Sequence, residues 1–349
     1  MPTHEAELTE PVDLCAPRGR RLSPDARGWS RTPLHRANLR GGWGRTKRWD
    51  YWAVLAQDLA ISVVYADVDY LGIVGVWWAD LSTGDHGGRE RTVPFARGMS
   101  LPDVPGSRTL RYSHPQLEVE IRPDRDRVAL KARWLERDDR HGRLDAEVVL
   151  PDGHESVNVV VPWSDKRFQF TSKHQARPAH GELIVGDDHR RFGDEGGPSG
   201  GQDAWGVLDV GRGRWPYSTV WNWAGGAGRS ADGRHTVGLQ LGARWTQGTG
   251  ATENGIIIDG RVHKLGDEHE WSYDWDAPLK PWHVRSADGS LDLELTPRFD
   301  RHARTNALML ATEVHQVFGR WRGRVPGPDG ERIEVDQLLG FAEESRSRW

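Results

Sequence analysis

Five Asp-Gly pairs, at 152–153, 232–233, 259–260, 288–289 and 329–330, punctuate this chain between short runs rich in β-formers. Asp-Gly suits the two-residue hairpin turn in which both central residues take positive φ, so each pair marks a place where an extended chain doubles back. The clearest cases are Ile256 to Leu265 (IIIDGRVHKL) and His283 to Leu295 (HVRSADGSLDLEL). Residues 116–136 alternate apolar and polar around a polar turn, the pattern of a half-buried hairpin. Leu144 to Val161 reads as another hairpin, around Pro151-Asp152-Gly153. Ile61 to Tyr65 and Gly75 to Trp78 are short β-rich runs, and Trp49 to Leu59 fits either one short helix or a strand. Long helical periodicity is nearly absent. The expected class is therefore all-β, as antiparallel barrels or sandwiches with little helix.

The chain has 349 residues, a length that favours two domains. Residues 1–45 lack periodicity and read as a leader that wraps the domain or is partly disordered. The polar, Gly-rich stretch 187–204 is the best candidate for a linker or a lid. The expected division is a first β domain over 46–185 and a second over 186–349.

Lysine plus arginine number 47 against 51 acidic residues, mixed along the chain, so nucleic acid is a poor partner. No run of 18 apolar residues offers a membrane-spanning helix. The polar start MPTHEAELTEPVDL does not resemble a secretory signal, and the single cysteine, Cys15, allows no internal disulfide. A cytoplasmic setting is expected. The unusual figure is 18 tryptophans. Each buries up to ~250 Å², worth about 6 kcal/mol, so most must line a core or a pocket.

The densest aromatic patch is DVGRGRWPYSTVWNW at 209–223. Trp215, Tyr217, Trp221 and Trp223 share parity, so on a strand they face one side and either floor a ligand pocket or fill a barrel. Trp52 is a further candidate pocket residue. Glu253 and Asn254 follow a Gly-rich GTG and lead into an apolar strand. There a carboxylate beside a carboxamide orients a substrate, acts as a general acid if apolar walls raise its pKa, or forms a plain turn. Lys173 and Arg177 share a strand face, with His174 opposite; a basic pair beside indole walls suits a carboxylate or other anion, or a structural salt bridge. Asp209 and Asp69 are the other candidate acids; Tyr70, His315 and Glu343 are weaker ones. HExxH is absent and a single cysteine allows no Cys-rich zinc site, so neither a metal nor a cofactor is expected.

Several stretches carry a family resemblance: LSPDARGWSRTPLH at 22–35, KRWDYWAV at 47–54, ADVDYLG at 66–72, LDVGRGRWPYSTVWNWAGGAG at 208–228, GTGATENGIIIDGRVHKL at 248–265, EVHQVFGRWRG at 313–323 and GFAEESRSRW at 340–349. Through them the chain resembles the bacterial family called domain of unknown function 2804. More distantly it resembles the two-domain lipocalin-like group that includes carotenoid 1,2-hydratases. Their Glu-Trp-Trp-Tyr motif has its nearest match here in Trp49-Asp50-Tyr51-Trp52, which departs from it at the Glu and at one Trp, so no catalytic residue transfers. The resemblance implies two lipocalin-like antiparallel barrels packed together around or beside a pocket. Three functions follow as expectations. The first is binding of a small, largely apolar molecule, such as a lipid or terpenoid, by a hydratase-, cyclase- or isomerase-type enzyme with Glu253, Asp209 or Asp69 as acid. The second is a carbohydrate-active enzyme with a tryptophan-lined groove and paired carboxylates acting on a sugar. The third is a non-catalytic carrier.

Overall fold

The structure, a computed structural model, describes residues 4–193, 203–307 and 310–348. Among them almost every regular element is a strand, and the helical content is one 3-10 turn at Pro24–Ala26. The strands form two large antiparallel sheets and a small parallel pair, Val12–Asp13 with His35–Arg36.

The first sheet runs His86–Pro94, Leu71–Asp80, Leu59–Asp67, Thr46–Ala56, Ala204–Arg214, Phe168–Val185, His141–Val149, Arg127–Leu135, Leu117–Pro123, Leu110–His114. It curls until its two ends share a core, in which Val74, Val76 and Trp78 join Leu117, Val119 and Ile121. The second sheet runs Arg261–Lys264, Gly255–Ile258, Thr236–Ala243, Ser218–Arg229, Arg332–Arg348, Leu310–Pro326, Asp292–Ala307, Trp282–Arg285, Glu270–Ser272. It curls likewise around Leu239, Trp282, Val317 and Trp321.

The two half-barrels pack together through Ala53, Leu55, Val207, Trp223, Phe318, Leu339 and Phe341. This explains the run Trp52 to Ala56, which is apolar without alternation. Trp52, Val54 and Ala56 face the first core, while Ala53 and Leu55 face the other sheet. A strand covered on both faces has no polar side to show; of the segment at 49–59, residues 49–56 are accordingly strand, and the chain turns at Gln57 and Asp58 into the next strand.

All five Asp-Gly pairs lie between strands. Only Asp259-Gly260 has both residues at positive φ, 48° and 81°; the other four use the Gly alone, in longer turns. The expected hairpin over 144–161 is not one. His141–Val149 and Val157–Val161 each pair with the long strand Phe168–Val185, at different stretches of it. Alternation fixes that a strand exists, not which neighbour it takes.

Residues from the first 45 pack on both sheets. Leu14, Leu22, Ala26 and Leu39 bury against Val160, Phe168 and Phe170, and Glu5 reaches Lys264 of the second sheet at 3.2 Å. Part of the 187–204 stretch, residues 194–202, lies outside the described residues. The strand after it, Ala204–Arg214, belongs to the first sheet between Thr46–Ala56 and Phe168–Val185. The chain passes from one sheet to the other at residues 215–217, downstream of the division at 186.

Candidate functional site

Four charged side chains from both sheets meet in the seam between the half-barrels. Lys173 and Asp209 are cross-strand partners on adjacent strands of the first sheet, with Lys173 Nζ 2.9 Å from Asp209 Oδ1. Glu253, from the segment before strand Gly255–Ile258, brings Oε2 to 3.3 Å from the same ammonium. Glu343 stands on the strand Arg332–Arg348, opposite Trp223 and Gln316. All four are buried. Gly242 makes room for Glu253, since a Cβ there would fall 2.0 Å from Glu253 Oε1.

Indole N–H groups clamp each carboxylate. Trp49 donates to Asp209 Oδ2 at 3.0 Å, Trp245 to Glu253 Oε1 at 2.7 Å, and Trp221 to Glu343 Oε1 at 2.8 Å. Thr171 Oγ1 donates to Asp209 Oδ1 at 3.3 Å, and the Lys173 ammonium sits 4.3 Å over the Trp223 ring. The tryptophans pack on one another: Trp215 stacks on Trp245 at 5.6 Å and contacts Trp49, Trp163 and Trp221.

One cation faces three carboxyl groups out of water, and their proton affinities follow. Burial pushes the Glu343 carboxyl up to about 7; the Trp221 hydrogen bond and the charges of Lys173 and Arg301 pull it down, while Asp209 pushes it further up. Burial also raises Glu253, against the opposing pull of Lys173. For Lys173 burial favours the neutral amine, but Asp209 and Glu253 outweigh it and hold the ammonium above its usual value. The site thus keeps a protonated amine beside Asp209, with Glu253 and Glu343 both held above the usual carboxylate range.

Glu343 is buried, on the side of the cluster nearest partly exposed residues. Tyr51, Trp221 and Arg301 around it are only partly buried. Tyr51 OH donates to Gln316 Oε1 at 3.5 Å, and Arg301 lies 4.4 Å over the Trp77 ring and donates to Ser62 Oγ at 3.1 Å. Surface clefts of about 480 Å³ beside Arg111, Glu120 and Lys131, and about 440 Å³ beside His154, Ala176 and Trp205, open elsewhere; none of the four clustered residues lines them.

Of the residues singled out in the sequence, Glu253, Asp209, Trp215, Trp221 and Trp223 come together here. Tyr217 does not: it lies between strands and is 47% exposed. Asp69 lies apart, accepting from the Thr46 amide at 3.0 Å with its carboxyl raised by burial. Tyr70 lies with it, its ring 4.3 Å from Lys47 Nζ. Trp52 points into the first core. Asn254 is spent on the backbone, accepting from the Gly242 amide at 2.7 Å and donating to Asp267 O at 3.1 Å.

Arg177 corrects the parity reading. The pairing of Phe168–Val185 with Ala204–Arg214 shifts between His174 and Arg177, where Ala176 takes φ 57°. That bulge inserts one residue and turns Arg177 to the face of His174, away from Lys173. His174 Nε2 lies 2.8 Å from Ser172 Oγ, and burial, then the Arg177 charge, holds its pKa well below the usual imidazole value. Lys173, Trp49, Trp245 and Glu343 were underweighted in the sequence. Lys173 was read only as half of a basic pair with Arg177, and Glu343 only as a weaker candidate, because no local pattern shows which strands bring them to Asp209 and Glu253.

Among solved structures the chain is similar to kievitone hydratase from Nectria haematococca, at 11% identity over 88% of this chain and 89% of that one, with TM-score 0.50. It is also similar to CghA crystallised with Sch210972, at 14% identity over 86% and 88% of the two chains, with TM-score 0.42. At such identity the first likeness speaks to the fold alone. No curated protein matches the chain in sequence. The model of one family, domain of unknown function 2804 (DUF2804), matches residues 5–349, and the chain belongs to that family.

Proposed function

We propose that this protein is an acid–base enzyme of the hydratase, cyclase or isomerase type, acting on a small, largely apolar molecule admitted between the two half-barrels beside Glu343. The observation that carries this reading is the buried Glu343 carboxyl, held by the Trp221 N–H beside the Lys173 cluster, where burial pushes its pKa up to about 7. A group with that proton affinity gives and regains a proton at neutral pH with little driving force lost either way. Glu343 delivers its proton to a C=C carbon or a C=O oxygen, and the positive charge that develops faces Trp221, an aromatic face worth ~0.5–2 kcal/mol. Lys173 offsets the carboxylate left behind. In a hydration, water adds to the cation and loses its proton to Glu253 or back to Glu343; in an isomerisation or cyclisation the substrate itself loses it.

The half-barrels serve as two lipocalin-like units with the site at their seam, strapped by residues 4–45. The buried lone thiol of Cys15 accords with a cytoplasmic setting. A sugar-cleaving groove is supported less well, because the indoles that would stack on a sugar stack on one another. A plain carrier gives no reason to hold two carboxyls raised beside a buried lysine.

The test is native mass spectrometry of freshly purified protein, followed by turnover of the identified compound by wild type and Glu343→Gln. A co-purified apolar molecule converted by wild type alone is the expected result. A bound glycan, or equal turnover by the variant, ends the proposal.

A further inference from the structure

On the opposite face of the Leu310–Pro326 strand from Gln316 lies a second cluster that the acid–base site does not use. Strands Asp292–Ala307 and Leu310–Pro326 pair with His302 directly opposite His315 and Arg304 opposite Glu313. Alternate residues of a strand share a face, so Asp300, His302, Glu313 and His315 all stand on one side of this ribbon. The two imidazoles stack at 4.2 Å with planes 2° apart, and His302 Nε2 lies 3.1 Å from Glu313 Oε1. One ligand atom each from His302, Glu313 and His315 falls within 4.8 Å of the others.

We propose that His302, Glu313 and His315 bind a divalent transition-metal ion of the zinc class, with an open fourth position for water or a ligand. Two imidazoles and one carboxylate are the donor set of open zinc sites, and the chemistry of borderline cations favours nitrogen over an all-oxygen cage. The second observation is the support behind the ligand. His315 Nδ1 lies 2.8 Å from Asp300 Oδ2, so the carboxylate accepts a hydrogen bond from Nδ1–H, a tautomer that leaves the lone pair on Nε2. Trp275 packs edge-on against the same imidazole at 4.5 Å and fixes its plane. Asp300 Oδ1 is buried with no hydrogen-bond partner among the described atoms, leaving a carboxylate short of positive charge. Arg304, 4.0 Å from Glu313 Oε2 and exposed, is the neighbouring cation that the metal displaces or joins.

Bonds of ~2.0–2.2 Å place tetrahedral ligand atoms about 3.4 Å apart, so atoms within 4.8 Å of one another close in by at most about 1.4 Å on binding. His302 is exposed and turns out of the stack at little cost, whereas His315 is buried and stays. The buried histidine is thus the fixed ligand and the surface pair closes over the ion.

The experiment titrates metal-stripped, tag-free full-length protein with cobalt(II), read by visible absorption, and with zinc(II), read by equilibrium dialysis. The expected result is one ion per chain at micromolar metal. His302→Ala and Glu313→Gln each weaken binding by about 100-fold or more, and Asp300→Asn by about 10–100-fold. His189→Ala, at another exposed His–Glu contact (2.8 Å to Glu182), leaves it unchanged. Since His302 is exposed, its alanine variant tests the site without threatening the fold, which circular dichroism verifies. No stoichiometric uptake, or wild-type affinity in His302→Ala, overturns the site; wild-type affinity in Asp300→Asn overturns the tautomer role given to Asp300.

Discussion

Replacing Glu343 by Gln should stabilise the protein at alkaline pH and leave its stability almost unchanged in acid. The Glu343 carboxyl is raised from 4.5 to about 7, chiefly by burial, so the folded state holds its proton where the unfolded chain has released it. Stability from this proton is fully present below the unfolded value and is lost as pH rises through the folded one. A shift of about 2.5 units at ~1.36 kcal/mol per unit makes the ionised side chain cost about 3 kcal/mol above neutrality. The Gln side chain mimics the protonated form and keeps an oxygen for the Trp221 N–H, which donates at 2.8 Å. Urea unfolding of both proteins should therefore give a difference of about 3 kcal/mol in favour of the variant at about pH 8, and close to none at about pH 4. Only the change with pH matters, so any pH-independent packing effect of the amide cancels. Equal differences at the two pH values would refute the raised proton affinity, and with it the proposed acid.

Lys173→Met should lose about 3–5 kcal/mol at neutral pH, because the buried Asp209 and Glu253 lose the cation that partners both of them. Urea midpoints measure the loss, and adding Glu253→Gln should recover part of it. Glu253→Gln alone should abolish turnover of the co-purified compound while near-ultraviolet circular dichroism stays native; retained turnover dismisses Glu253 from the chemistry. Glu136→Ala should cost roughly 2–6 kcal/mol, since Trp78 and Trp134 both donate to Glu136 Oε1 at 2.8 Å and would become buried donors without acceptors. Thermal melting checks it, and an unchanged midpoint refutes it. Cys15, buried with its thiol pushed up to about 11 chiefly by desolvation, should ignore a disulfide reagent at pH 8 until urea exposes it.

The strands were legible wherever one face meets water. Leu117–Pro123 and Arg127–Leu135 alternate buried and exposed positions, and they pair as their pattern implies. Thr46–Ala56 was ambiguous because both of its faces are covered. The aromatic patch at 215–223 was found by its density, yet parity alone placed Tyr217 inside, where the break between strands at 215–217 leaves it at the surface. Asn254 looked like half of a functional pair, but its amide closes a turn, a use that only its partners reveal.

The sequence by itself determined an antiparallel β chain, turning at its Asp-Gly pairs and carrying far more indole than a surface can show. These are local properties, written in alternation and turn chemistry. Only the tertiary structure decided that Lys173, Asp209, Glu253 and Glu343 share one dry seam, and that Arg177 does not. Strands far apart in the chain become neighbours by the curling and packing of whole sheets, and one inserted residue at a bulge reverses the facing of all that follows. The proton affinities of the cluster arise from that convergence, since a carboxyl is raised or lowered by burial and by neighbours that no local pattern specifies.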